Sequence, residues 1–449
     1  MSSTPQIEEP YDGYVRHVSA ELERDVAAAP HPSSSHAPTP PAVRAALTAI
    51  VEDLAPELND LARDLHAHPE VAFAEHRSIR QLATLARRHG VDVEVGCYGL
   101  ETAGHAIEAA QAGRSVALLS EYDALPELGH ACGHNVIAAS GLGAYLALHE
   151  LRRRGIEVPG TIRWIGTPAE EGHSGKEYLA RAGAFDGLDA ALMVHPYGFD
   201  ATRQVWLGRR VFRARYTGVS AHASSQPFMG RNALDAASLA YQGLALLRQQ
   251  ILPVDRLHAI ITSGGQRASV IADSAELSGY VRSKYPDTLA DLSTRVHHVF
   301  RGAALMTGCA LDFIWDEHPP SLPVRGNAPL EARFAAAMAE RGRDLIPSGV
   351  LPETIAASTD FGNVSYRVPG IHPLVKISPD SVALHTRAFE EAAGSPAAWR
   401  AVADATYALA RTAFDVLHDD ALAQAVRDEF DADGGAIDAA TYFGDVGEL

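Results

Sequence analysis

The stretch Val116–Leu151, VALLSEYDALPELGHACGHNVIAASGLGAYLALHEL, decides the fold class. Its opening run, VALLS, is apolar and short, which predicts a buried strand over 116–120. Its closing run, Asn135–Leu151, is apolar, rich in Gly and Ala, and long enough to predict a helix. Working outward, the alternation repeats. Thr161–Thr167 (TIRWIGT) and Ala190–Val194 (AALMV) predict further strands. Upstream, residues 42–67 carry Leu47, Ile50, Val51 and Leu54 on one helical stripe, and a second helix over 77–89 stops at Gly90. Strands alternating with helices predict an α/β fold, a mostly parallel sheet with flanking helices.

Residues 207–316 read differently. Strands are expected at Arg209–Tyr216, Leu257–Thr262, Ala275–Ser283 and Ala310–Trp315, with helices at Arg231–Gln249 and Thr288–Thr307. The order β-α-β-β-α-β is that of a ferredoxin-like α+β unit. It is inserted, because the first pattern resumes at Leu330 and runs to about 420. The expected division is an arm and linker at 1–42, a main domain at 43–206 and 317–420, the insertion at 207–316, and a C-terminal tail at 421–449. Ala29–Pro41 (APHPSSSHAPTPP) has the composition of a solvated linker, and Tyr11–Ala28 has helical spacing.

The chain has 38 basic and 56 acidic residues and a formal charge of −18, which argues against a nucleic-acid or anionic-membrane partner. Its three cysteines, Cys97, Cys132 and Cys309, are too few and scattered for a disulfide framework, and no apolar run is long enough to span a bilayer. A cytoplasmic protein is expected.

Chemistry-bearing residues gather where strands end. Glu121 and Asp123 follow the strand at 116–120. Cys132 and His134 flank Gly133, which lets the chain bend between two good zinc-type ligands. Glu170 and Glu171 follow the strand at 161–167, so one can bind metal while the other reaches water on it. His195 ends the run at 190–194, and His385 precedes a late helix. Singly, each has an ordinary alternative: a solvated acidic turn, a helix cap, a core histidine. As a set, Cys132, His134, Glu171, His195 and His385 would hold two divalent ions. Two negative ligands against four positive charges favour hydroxide at neutral pH.

EYDALP (121–126), HACGHN (130–135), GTPAEEG (166–172), MVHP (193–196), GVSAHAS (218–224), STDFGNVS (358–365) and LHT (384–386) occur in that order. Together they resemble the dinuclear zinc-type peptidases and amidohydrolases that include aminoacylase and carboxypeptidase G. Over about residues 45–415 the chain looks most like the branch of auxin-conjugate amidohydrolases, aminobenzoyl-glutamate hydrolase and Xaa-Arg dipeptidases. The resemblance implies a zinc-exopeptidase-like catalytic domain, with the insertion serving as lid and homodimer interface. It makes Cys132 the bridging ligand, with His134, Glu171, His195 and His385 completing two sites for Zn2+, or for Mn2+ or Co2+. It makes Glu170 the general base and then acid, with Asp123 supporting the site from behind. Glu121 stands where many members of the wider family have a His ligand, and receives no metal role. His222 would polarise the scissile carbonyl, either within its own chain or across a dimer interface. Asp360 and Asn363 of STDFGNVS are candidates for substrate contact.

One segment departs from the pattern. Ser269–Ala272 (SVIA) stands where relatives often have Asn-Val-Ile-Pro, so Ser269 replaces the usual substrate-binding Asn. Arg282, after it, could bind a carboxylate instead, or simply end a strand at the surface. The expected activity is hydrolysis of a small dipeptide or N-acyl amino acid. The alternatives are an aminobenzoyl-glutamate-type or carbamoyl amide at the same site, and a member that has lost catalysis and only binds a small molecule.

Overall fold

The structure is a computed structural model that describes residues 11–110 and 113–443. Its main sheet has six strands, in the order Glu94–Val95, Gly104–Ala109, Thr161–Gly166, Ser115–Ser120, Ala190–Leu192 and Gly370–Ile371. The last four are parallel neighbours, and the first two join antiparallel at one edge. Every residue of Ser115–Ser120 is buried, as a central parallel strand covered on both faces requires.

Helices Pro41–Ala67, His134–Arg153 and Pro396–His418 cover one face through Leu47, Leu58, Leu142, Tyr407 and their neighbours. Leu179, Phe185, Met193 and Phe361 fill the other face. Because the central strands run parallel, their carboxyl ends lie along one edge. The segments 121–135, 167–175 and 193–197 all leave the sheet there.

The insertion forms a separate antiparallel sheet, ordered Ala310–Trp315, Gly208–Thr217, Ser274–Ser283 and Arg256–Ser263. Helices Ala233–Leu247 and Pro286–Thr307 pack on one face of it, over a core of its own that includes Phe212, Leu277, Val296 and Phe300. This is the expected ferredoxin-like order.

The two ends of the chain are tied down more firmly than their composition predicts. Thr39, at the end of the proline-rich linker, is buried. Its hydroxyl donates to Asp415 at 2.8 Å and accepts from Arg411 at 2.8 Å. The stretch expected as a C-terminal tail contains helix Asp420–Ala432, whose Leu422 and Val426 enter the main core. Ala439 and Phe443 then pack against the core of the insertion. Its charged residues lie on the exposed face of an amphipathic helix, a pattern easily read as a solvated tail. Residues 1–10 of the arm and 444–449 lie outside the described residues. No helix among the described residues is long and apolar enough to cross a membrane.

Candidate metal centre

Gly133 caps the helix His134–Arg153 in a left-handed conformation, φ +79°. A Cβ there would lie 2.5 Å from Cγ of Pro196. Glycine is therefore needed both for the bend and for the approach of the segment carrying His195. Across the sheet edge, Ala169 has φ +61°, a costly conformation for alanine. That turn is held by Glu75, whose Oε1 accepts the Ala169 N–H at 2.8 Å, and it presents Glu170 and Glu171 to the same place. His385 is likewise at φ +60°, and its N–H donates to the carbonyl of Ala131.

These segments bring together all five expected ligands. Ligand atoms of Cys132, His134 and His195 lie within 4.8 Å of one another, as do those of Cys132, Glu171 and His385. Cys132 belongs to both groups, which suits it to be shared by two ions. His134 Nε2 and Glu171 Oε1 are buried with no hydrogen-bond partner. The other atoms of the ligands are committed to orienting them. Nδ1 of His134 lies 3.0 Å from Asp123 Oδ1, and Asp123 Oδ2 accepts the N–H of Glu171 at 2.8 Å. Asp123 thus fixes two ligands at once, from behind. His195 Nδ1 is 2.7 Å from the carbonyl of Pro196, which leaves Nε2 turned toward Cys132 Sγ at 3.4 Å.

The electrostatics call for cations. Burial holds the Cys132 thiol and the Glu170 carboxyl well above their ordinary pKa values, and Glu171 reinforces both shifts. Burial lowers His195 to about 3, so it is a neutral imidazole with a free lone pair at ordinary pH. Orphaned donor atoms, a shared thiolate and crowded carboxylates fit two divalent ions of zinc type. Glu170 Oε2 stands 4.0 Å from His134 Nε2 beside this set. Glu170 also lines a cavity of about 770 Å³ shared by Cys132, Glu171, His195, His385 and Arg282.

The remaining expected residues fall elsewhere. Asp360 and Asn363, expected to touch substrate, are buried in internal contacts. Asp360 accepts from Lys176 through both its Nζ, at 2.6 Å, and its backbone N–H, at 2.9 Å. Asn363 bonds the Leu322 N–H, Glu177 and the carbonyl of Pro320. Their side chains act as scaffolding behind the site. His222 and Ser269 are exposed on the insertion and do not line the cavity. They share one loop cluster, in which Ser269 O accepts the N–H of Ala223. His222 Nδ1 accepts the N–H groups of Ser224 and Ser225, which leaves Nε2–H as a free donor.

Two features of the site have no counterpart in the sequence reading. Fully buried Lys176 bridges Glu121, through its Oε1, and Asp360, while Glu121 Oε2 lies buried without a hydrogen-bond partner 3.5 Å from His134 Nε2. A signal for it existed: Lys176, Lys284 and Lys376 are the only lysines in an arginine-rich chain. A compact ammonium fits between two carboxylates where a guanidinium fork would not. Arg209 also lines the cavity, next to Arg282.

Residues 117–413 match the family model described as Peptidase family M20/M25/M40. The chain is 39% identical over 393 residues to Xaa-Arg dipeptidase of Mus musculus, covering 85% of this chain and 90% of that protein. It is 30% identical over 380 residues to one of the subunits of p-aminobenzoyl-glutamate hydrolase from Escherichia coli K12, covering 69% and 78%. The fold is similar to that of a dinuclear metal-binding M20 peptidase from Bacillus subtilis, with TM-score 0.63, 22% identity and coverage of 82% and 99%. The chain therefore belongs to peptidase family M20/M25/M40 and is a metal-dependent hydrolase of the peptidase and amidohydrolase type.

Proposed function

We propose that the chain hydrolyses the amide bond of a small dipeptide or N-acyl amino acid at a dinuclear, zinc-type centre, with Glu170 as general base and then acid. One observation carries this reading. The Glu170 carboxylate stands beside a donor set that shares Cys132, at the wall of a cavity large enough for a small substrate.

When bound, the two ions supply Lewis-acid charge that makes water a better nucleophile and offsets charge growing on a carbonyl oxygen. Cys132, His134, Glu171, His195 and His385 hold them, and Asp123 keeps His134 and Glu171 in place. Glu170 takes a proton from the attacking water and passes it to the leaving nitrogen as the C–N bond breaks. Burial and its acidic neighbours raise the affinity of Glu170 for that proton. No covalent intermediate with the protein is required, and Cys132 is a ligand, not the nucleophile. The complete donor set speaks against a member that only binds.

His222 completes the site from a second copy of the chain. Three observations support a homodimer through the insertion. His222 stands outside the cavity of its own chain with a free Nε2–H. Strand Arg256–Ser263 is an unpaired sheet edge. Large apolar side chains of the insertion are exposed, including Ile260 on this strand at 63%, and Leu246 and Phe228 elsewhere in the insertion at 72% and 74%.

Glu170→Gln tests the proposal. The variant should keep two metal equivalents by elemental analysis and lose roughly 10²–10⁴-fold in amine release. Full activity in the variant would remove Glu170 from the mechanism.

A further inference from the structure

A second cavity, of about 830 Å³, lies apart from the metal centre. The two cavities share no lining residue. Successive side chains of a strand point to opposite faces of its sheet. Strand Gly208–Thr217 accordingly sends Arg209 to the metal-centre cavity and Arg210 to the second one. Three parts of the chain meet there. Arg181 comes from the main domain, Phe313 and Trp315 from the insertion, and Phe443 from the C-terminal segment. The hydrolytic reaction uses none of them.

Arg210 decides what this cavity can hold. Its guanidinium is only 3% exposed, and burial keeps it below its ordinary pKa against the opposing pull of Asp316. It stacks on two rings, with its central carbon 4.5 Å from the centre of Trp315 and 5.0 Å from that of Phe443. A guanidinium carries five N–H donors. Among the described residues its one hydrogen bond runs from Nε to Asp316, at 2.7 Å. The other oxygen of Asp316 is spent on the N–H of Val211, at 2.9 Å. Nη1 of Arg210 is buried without a partner, and so is Nε1 of Trp315. Both groups can only donate, and leaving them unmatched is costly. Stacking accounts for a guanidinium between two rings, but not for two unmatched donors on residues of one cavity. Arg181 adds a second cation, and its partner Glu177 is shared with Arg367. The site therefore favours an acceptor with negative charge. Asp316 already offsets part of the Arg210 charge, so a single negative charge suits it better than a phosphate dianion. Phe313 and Trp315 meet edge to face at 5.1 Å, and with Phe443 they give the cavity aromatic walls.

We infer that this second cavity is a binding site for a small aromatic carboxylate. The carboxylate takes Nη1 of Arg210 and Nε1 of Trp315, and the ring lies against Phe313 and Phe443. The site is separate from the one that holds substrate and stands whether or not the chain is a hydrolase.

Calorimetric titration of the metal-loaded protein with phenylacetate, phenylacetamide and acetate tests it. Phenylacetate should bind saturably, and the amide and acetate about 10-fold more weakly. Arg210→Met should abolish the preference for phenylacetate over the amide. That change also leaves Asp316 without its cation and can unfold the chain, so a variant at the rim is run beside it. Leu305 lines the cavity at 83% exposure, so Leu305→Glu needs no repacking and sets a negative charge at the mouth. It should weaken phenylacetate roughly 3–10-fold and leave the amide unchanged. Absence of saturable binding by wild type would overturn the inference. So would equal affinity for phenylacetate and its amide. Phenylacetate binding that Leu305→Glu leaves unchanged would place the ligand elsewhere, in the metal-centre cavity, and overturn it as well.

Discussion

At the scale of single residues, the site depends on side chains that hold other side chains. Asp123 spends both oxygens on orienting ligands, one on His134 and one on the N–H of Glu171. Asp123→Ala should therefore weaken metal binding about 10–100-fold while leaving the five ligands in the chain. A competition titration with a chelator would show this, and wild-type affinity in the variant would contradict it. Glu75 holds the strained turn at Ala169 and is itself fully buried. Burial, reinforced by the Asp123 charge, raises its pKa from 4.5 to about 7. The folded state thus holds this proton more tightly than the unfolded chain does. The stability it contributes is complete below about pH 4.5 and is lost as pH rises through about 7. Glu75→Gln keeps an oxygen for Ala169 and cannot titrate. In metal-free protein, wild type should lose thermal stability relative to the variant between about pH 5 and pH 8. Parallel curves would show that Glu75 does not titrate in this range. The five candidate ligands could be picked out from the sequence because each sits in a short motif, with His385 just before a late helix and the others in segments that follow strands. Lys176, Arg209 and the internal roles of Asp360 and Asn363 were not. Their partners lie far away in the chain, and only the folded backbone brings them together.

At the scale of elements, the parallel strands fix where the chemistry can occur. Apolar runs at 115–120, 161–166 and 190–192 could be read as strands because both their faces are covered. The period-two and helical patterns of the insertion were equally clear, since its sheet has helices on one face only. The C-terminal helix Asp420–Ala432 was missed because its buried stripe is narrow, with Leu422, Val426 and Phe430 among charged neighbours. Three elements are locked together by the buried Glu121–Lys176–Asp360 cluster, which joins the end of strand Ser115–Ser120 to helices Gly175–Arg181 and Phe361–Ser365. Lys176→Met leaves two carboxylates buried without their cation and should cost about 3–5 kcal/mol. Replacing all three residues by neutral ones, Glu121→Gln, Lys176→Met and Asp360→Asn, should cost less. Denaturation midpoints would show the difference, and a triple variant no more stable than the single one would argue against ionic pairing as the cause.

At the scale of the whole molecule, the main domain and the insertion line one cavity together, and the insertion has an unpaired sheet edge and exposed apolar side chains. Dimerisation through that edge would cover them and bring His222 of a second copy to the cavity. Ile260→Asp should then shift the sedimenting species from dimer to monomer and reduce amide hydrolysis together with it. A wild-type monomer with full activity would sink the dimer proposal and leave the metal centre untouched. The metal centre is proposed to perform amide hydrolysis through Glu170. Amine release from a panel of dipeptides, N-acyl amino acids and aminobenzoyl-glutamate tests this without intermediaries. Wild type and Glu170→Gln would be run side by side, each shown to carry two zinc equivalents. Release by wild type alone is expected. Equal release by both proteins, or none from any compound with both ions bound, would contradict it.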